Sequence, residues 1–330
     1  MEMILTELVA VTDASSVGQV RRVALATARR LGLDERQAGE MALLATEASR
    51  NVLVHGGGGE VIVSGLKHDG KALGRILALD RGPGIADLPR AMRDGFSTSG
   101  TPGGGLGAMK RMASGLDIFT SRIGTAVLVE TGNDPDAGGM RIAGVAVPYP
   151  GETVCGDAWA YHRSPGRMLT MIVDGLGHGW GAAEAAQEAT ATFYARQTCA
   201  PGDLLSYIHD ALKKTRGAVA GIAEIRPEAR TMTFAGVGNI AGVLLSATSS
   251  QSLVSHNGTL GSTVSRIQDF RFEWKPDSVL IFHSDGLQSR WDLSSYPGLL
   301  ARHPAIIAGT MLRDFRRQRD DASVVVVKAG

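Results

Sequence analysis

The sequence is poor in the features that commit a chain to a secreted, membrane or nucleic-acid role. It holds two cysteines, Cys155 and Cys199, in 330 residues. Two cannot build the disulfide framework of a small secreted domain, so a reducing, cytoplasmic setting is expected. No apolar run approaches the roughly 20 residues that cross a bilayer as a helix. The opening MEMILTELVAVTD carries acids early and lacks the basic start and apolar core of a signal peptide. No membrane partner is therefore expected. Lys and Arg (34) almost balance Asp and Glu (33) for a formal charge of +1, and aromatics are scarce at 5%. Without a basic stripe interleaved with aromatics, no nucleic-acid partner is expected either. No internal repeat recurs at a fixed period.

What the chain does have is length, apolar material and glycine. At 330 residues and 44% hydrophobic content it fits two domains better than one. Its 43 glycines follow no collagen period and point to tight turns and loops that hug ligands. The polar, turn-rich stretch GNDPDAGG marks a linker at 132–139. The expected domains are 1–131 and 140–330.

In the first half, an opening strand over 2–11 precedes a helix that Ser15 and Ser16 introduce and Gly32 ends. A second helix is expected from about Asp34, an N-cap with Gln37 as its capping-box partner, to Val54. Its apolar positions Ala38, Met41, Ala42, Ala45 and Ala48 recur at helical spacing. EVIVSGLKH and ALGRILALD read as strands around an Asp69-Gly70 hairpin signal. A short helix from about Leu106 and two more strands complete an α+β domain with a largely antiparallel sheet. In the second half nine strand-like runs are interrupted by helical stretches near 181–197, 201–214 and 297–318, the pattern of stacked sheets covered by helices.

Three segments of the first half carry chemistry. Glu47, Asn51 and His55 recur every fourth residue, which puts them on one helix face. A carboxylate and an amide so spaced suit a general base and a magnesium ligand, and equally suit a solvated face. Asp80 ends a strand, and Gly82 and Gly84 after it let backbone turn closely around a ligand; its carboxylate can accept from an adenine amino group. TPGGGLGAMKR leads glycines into a helix whose first N–H groups suit phosphate oxygens, although it has the spacing of neither a P-loop nor a dinucleotide fingerprint. In this order EASRNVLVHG, DRGPGI and GGGLG resemble the N-box and the two glycine boxes of the GHKL ATPases. The small size and the short lid DGFSTSGTPGG are most similar to the RsbT-like serine/threonine kinases of bacterial partner switching. That resemblance implies an ATP-binding α/β sandwich, with Glu47 as base, Asn51 holding Mg2+ and Asp80 reading adenine. Gly82 and Gly84 would shape the base pocket, and Gly103, Gly105, Leu106 and Gly107 would hold phosphates. Lys110 either offsets phosphate charge or is solvated, and His55 either lines the pocket or caps its helix.

In the second half, aspartates recur where strand-like runs end: Asp157 in VCGDAW, Asp174 in MIVDGLGHG, Asp285 in IFHSDGL, and the Asp320–Asp321 pair. Any one Asp-Gly is an ordinary turn. A set of four is costly to gather unless cations neutralise it, and all-oxygen donors suit magnesium or manganese. DGLGHG and RDDAS, with FAGVGN and HNGTLG between them, resemble the PP2C-type phosphatases of the SpoIIE-like and RsbX-like branch, which have an α/β/β/α sandwich. That resemblance implies a two-metal Mg2+ or Mn2+ centre on Asp157, Asp174 and the Gly175 carbonyl. Asp285 and Asp320 would complete a shell, with Asp321 ranked behind Asp320. The acid-and-arginine arrangement upstream in more elaborate relatives has no counterpart here. His178 either protonates a leaving group or stabilises its turn, and Cys155 reads as structural.

Together the resemblances imply a kinase and a phosphatase acting on phosphorylatable STAS-domain proteins, with a sigma factor or downstream activator as a further partner. Two alternatives stand beside this reading. In one the first domain only senses ATP or binds a partner; in the other the second domain is an inactive interaction module. Nothing in the sequence sets an oligomeric state.

Overall fold

The computed structural model describes residues 3–68, 70–93, 105–134 and 139–329. The lid over 94–104, including Gly103, lies outside them, as do Asp69 of the hairpin and residues 135–138 of the linker. The chain divides into two compact units, one of residues 1–137 with 293–313 and the other of 138–292 with 314–330. The first thus takes in a segment that sequence assigns to the second half.

The first unit is built on one antiparallel sheet. Its strands are β1 (Met3–Val11), β2 (Gly59–His68), β3 (Lys71–Asp80), β4 (Gly115–Ser121) and β5 (Gly124–Gly132), in the order β1-β2-β3-β5-β4. Helices α1 (Ala14–Leu31) and α2 (Glu35–Gly56) cover one face, burying Val20, Ala24, Met41, Leu44 and Ala48 against Val61, Val63, Ile76 and Ala78. The short α3 (Leu88–Ala91) and α4 (Leu106–Met112) follow β3. Asp13, rather than the serines, caps α1: its carboxylate accepts from the Ser15 and Ser16 amides, and Ser16 answers from the third helical position. Gly32 ends that helix in the left-handed conformation, and Asp34 and Gln37 form a full capping box on α2.

β3 is buried almost without a break from Leu73 to Leu79. An antiparallel strand open to water on one side would alternate instead. The second face is covered by α7 (Pro304–Phe315), in which all ten residues from Pro304 to Arg313 are buried. A helix apolar around its whole circumference belongs inside a structure. Gly309 makes the close approach, since a Cβ there would meet Leu77 Cδ2 at 2.5 Å and Leu79 Cδ2 at 3.1 Å. Gly309→Leu is accordingly expected to lose about 1–3 kcal/mol by overpacking, although leucine is the better helix former. A thermal melt checks this; an unchanged or raised midpoint would mean that the face is not packed there.

The second unit stacks two antiparallel sheets. One is ordered β13-β10-β9-β8-β7, from β7 (Asp157–Ser164), β8 (Arg167–Gly175), β9 (Ala218–Arg226), β10 (Thr231–Val237) and β13 (Phe270–Glu273). The other is ordered β12-β11-β14-β15-β6, from β6 (Arg141–Val147), β11 (Ala241–Ser246), β12 (Ser249–Ser252), β14 (Val279–His283) and β15 (Ala322–Lys328). Gly144 on β6 leaves room for the Trp159 ring of β7, and Phe234 meets Phe282 across the sheets at 5.6 Å. Helices α5 (Trp180–Ala195) and α6 (Pro201–Ala211) cover the outer face of the first sheet, burying Ala185, Ala189, Phe193, Leu204 and Ile208. This is the mixed α/β architecture that the strand and helix pattern implies. Cys155 and Cys199 are unpaired. Among the described residues no helix is long and apolar enough to cross a membrane.

Candidate functional sites

A cavity of about 380 Å3 opens in the first unit between α2, the end of β3 and the start of α4. Its lining includes Glu47, Asn51 and His55 from α2, Asp80 at the end of β3 and Gly84 after it, Gly105 and Leu106 at α4, and Thr125 on β5. The four-residue spacing on α2 does turn all three polar side chains to one space. Asp80 is steered by backbone: its Oδ1 accepts from the Gly82 amide at 2.8 Å and the Thr125 amide at 3.2 Å. Burial raises its pKa, while those two amides and the neighbouring Arg313 and His55 pull the other way. Oδ2 takes no part in those two bonds and is the acceptor left for a ligand.

Gly84 adopts φ of 78°, and a Cβ there would lie 2.1 Å from the Ser121 carbonyl oxygen. Only glycine fits that turn. Gly82 shapes the carboxylate and Gly107 is buried in α4; neither is among the lining residues. Lys110 is exposed and is not among them either. Thr125 was missed because a threonine inside GTAVLVET carries no signal beyond that of a strand.

In the second unit Asp157 and Asp174 are register partners across β7 and β8, so their side chains share one face. Asp157 is buried, with 4% exposure. Its Oδ2 accepts from Ser323 Oγ at 2.7 Å, and Ser284 lies near enough to the carboxylate to favour its charge. Its Oδ1 is buried with no hydrogen-bond partner, as is Asp321 Oδ2. Asp321 Oδ1 accepts from the Tyr149 amide at 2.8 Å, and Asp285 Oδ2 accepts from Asn239 Nδ2 at 2.7 Å. Asp320 is less buried than Asp321, which sequence ranks second. Gly175 lets the Ala182 carbonyl approach to where a Cβ would be, at 2.2 Å.

Burial is the largest cause of the raised pKa at Asp174. The neighbouring Asp157, Asp285, Asp320 and Asp321 raise it further. Asp157 is also raised, by burial first, against the bonds from Ser284 and Ser323. Among the described residues no three His, Cys, Asp or Glu side chains converge closely enough to ligate one ion outright. The fit to a divalent cation rests instead on the orphaned oxygens of Asp157 and Asp321 and on five mutually repelling carboxylates. An all-oxygen set of this kind suits Mg2+ or Mn2+.

His178 is held in its turn, its Nδ1 2.8 Å from Glu152 Oε1 and its ring stacked on Tyr149 at 4.8 Å. That favours the turn-stabilising reading. Burial, with the charges of Asp157 and Asp321 beside it, pushes the Cys155 thiol well above the usual range. A thiol so protonated is no nucleophile. Ser284, Ser323 and Tyr149 escaped sequence reading, because serines at strand ends and a backbone amide donor have no distinctive spacing.

The family model for stage II sporulation protein E (SpoIIE) matches residues 164–330. A histidine kinase-like ATPase domain model matches residues 10–130. Over 100 residues the chain is 35% identical to the serine/threonine-protein kinase RsbT of Bacillus subtilis (strain 168), covering 30% of this chain and 73% of that protein. Over 140 residues it is 28% identical to the phosphoserine phosphatase RsbX of the same organism, covering 42% of this chain and 69% of that protein. A structure of RsbX in complex with magnesium has the same fold, with TM-score 0.52 at 20% identity, covering 60% of this chain and 98% of that one. A structure described as belonging to the bacterial stressosome, a modular system adapted to control secondary messenger signaling, matches with TM-score 0.53 at 27% identity. It covers 57% of this chain and 99% of that one.

Proposed function

We propose, from the premise that the chain belongs to the SpoIIE family and joins a PP2C-type serine/threonine phosphatase domain to an RsbT-like kinase domain, that both activities act on STAS-domain proteins of a partner-switching pathway in the cytoplasm. A sigma factor or a downstream activator is the further partner. Residues 1–131 carry the kinase chemistry and 140–330 the phosphatase chemistry, although Leu293–Arg313 packs in the first unit. The observation that carries the reading is the pair Asp157 and Asp174 on adjacent strands, with a buried, unpartnered oxygen on Asp157.

In the phosphatase, Asp157, Asp174 and the Gly175 carbonyl would hold Mg2+ or Mn2+, with Asp285, Asp320 and Asp321 completing the set. Bound divalent cations supply a water of lowered pKa and neutralise charge on the phosphoryl oxygens. The chain's own part is orientation. Ser323 fixes which oxygen of Asp157 faces the centre, and Asn239 does the same for Asp285. Trp180, the most exposed large apolar side chain among the described residues at 73%, opens α5 directly after the Asp174 turn and offers a protein substrate a flat contact.

In the kinase, ATP enters the cavity with adenine against Asp80 Oδ2 and the Gly82–Gly84 turn. Asn51 would hold Mg2+, and Gly105, Leu106 and Gly107 would present the first amides of α4 to phosphate. Glu47 accepts the proton of the attacking serine or threonine hydroxyl. The work is positioning and charge neutralisation.

A mass-spectrometric assay tests both halves on a STAS-domain protein. The full chain with ATP and Mg2+ is expected to add phosphate to it, and with Mn2+ alone to remove phosphate from the phosphorylated form. Nucleotide binding without transfer would sink the kinase half and leave an ATP sensor. Absence of release would sink the phosphatase half.

A further inference from the structure

Leu293–Arg313 lies within the stretch matched by the SpoIIE family model, yet it packs as part of the unit that holds the nucleotide cavity. It is fastened there at three places. Just before α7 the His303 amide donates to Asp117 Oδ2 of β4 at 2.7 Å, and Arg302 Nη1 lies 3.3 Å from Asp117 Oδ1. In its middle Gly309 lies on Leu77 and Leu79 of β3. At its end Arg313, buried with 5% exposure, donates from Nη1 to the backbone carbonyl of Asp80 at 3.0 Å. The Arg313 carbonyl in turn accepts from Arg81 Nη2.

The turn opposite is shaped for this contact. Gly124 sits at φ of 137°, where a Cβ would fall 2.1 Å from the Asp80 carbonyl oxygen and 2.7 Å from Arg313 Nη1. Asp80 is therefore held from two sides. The amides of Gly82 and Thr125 orient its carboxylate from the cavity side. Arg313 fixes its backbone from behind. A charge-assisted bond of this kind, out of water, is among the stronger restraints available to a loop.

We infer that Arg313 is a positioning residue for the nucleotide site and that Leu293–Arg313 is a constituent of that site, so that recognition of the base depends on a helix contributed by the phosphatase-family stretch of the chain. This rests on the reading of the cavity as an ATP site. Arg313 touches no ligand; it acts through Asp80. A displaced Asp80 misplaces its acceptor for the adenine amino group and so erodes discrimination against guanine, whose carbonyl at that position gains nothing from a carboxylate. A merely structural Arg313 would affect both bases alike.

The test uses the full chain, titrated calorimetrically with ATP and with GTP. Arg313→Met, which keeps the apolar stem and removes the donors, is expected to weaken ATP about tenfold or more while GTP affinity stays level, so the ratio narrows. Arg313→Lys, with one charged donor restored, is expected to recover part of the ratio. If Arg313→Met does not fold, Asp117→Ala releases the other end of the segment and is expected to narrow the same ratio by less. An unchanged ratio in a folded variant would overturn the inference, as would equal weakening of both nucleotides. A wild-type chain that binds neither nucleotide would instead overturn the ATP reading beneath it.

Discussion

Asp174→Asn is expected to abolish phosphoserine hydrolysis and, in the same protein without metal, to raise the melting temperature. The two effects share a cause. Asp174 sits where burial and four other carboxylates disfavour its charge, and its pKa is raised accordingly. A carboxyl raised in the folded state holds a proton that the unfolded chain has already released above the ordinary carboxylate range. The folded state then binds more protons than the unfolded one, so stability of the metal-free protein falls as pH climbs from about 4 through neutrality. Asparagine removes that liability. The gain over wild type is expected to be slight at pH 5 and on the order of 2 kcal/mol at pH 8, or about 4–8 °C, after allowance for partial solvent access. Divalent cations offset the same repulsion, so Mn2+ is expected to raise the midpoint of the wild type more than that of the variant. The activity loss follows from charge stabilisation worth several kcal/mol, which is about a thousandfold or more. Phosphate release in Mn2+ and paired melts at the two pH values check it. Activity within tenfold of wild type would remove Asp174 from the centre, and a lower midpoint at pH 8 would contradict the repulsion.

Much of both sites was legible because it depends on short-range periodicity. Spacing of four puts Glu47, Asn51 and His55 on one face whatever surrounds the helix, and all three line the cavity. Aspartates at the ends of antiparallel strands fall together when those strands pair, as Asp157 at the start of β7 and Asp174 near the end of β8 do. What stayed hidden depends on long-range packing. PAIIAGTMLRDF reads as an apolar helix, but nothing in its pattern says which sheet it will cover; its place against β3 is decided by Gly309 and by Asp117, nearly two hundred residues upstream. The unbroken burial of β3 was the available clue, since ALGRILALD lacks the polar alternation of a strand with one wet face.

The second large effect separates binding from transfer in the kinase half. Glu47→Ala is expected to leave ATP affinity within about twofold and to lower phosphoryl transfer to a STAS-domain protein by about 10²–10⁴-fold, the usual contribution of a positioned general base. Glu47 lines the cavity beside Asn51 on the same helix face, so its loss removes a proton acceptor without disturbing the base pocket. Asp80→Asn is expected to act at the other end. The amide oxygen can keep the bonds from Gly82 and Thr125 that Oδ1 now accepts. The NH2 group then stands where Oδ2 was and opposes the adenine amino group, donor against donor. A bond to a charged acceptor is lost, so ATP affinity is expected to drop by roughly 10–100-fold. The same NH2 group can donate to the carbonyl of guanine, so GTP affinity is expected to rise as ATP affinity falls. Removal of a half-buried charge is expected to leave the fold as stable as before or more so, which separates this loss from unfolding. Titration of both nucleotides against each variant, beside a transfer assay, decides the matter. Equal ATP affinity in wild type and Asp80→Asn would move the adenine elsewhere, and undiminished transfer by Glu47→Ala would assign the base to another residue.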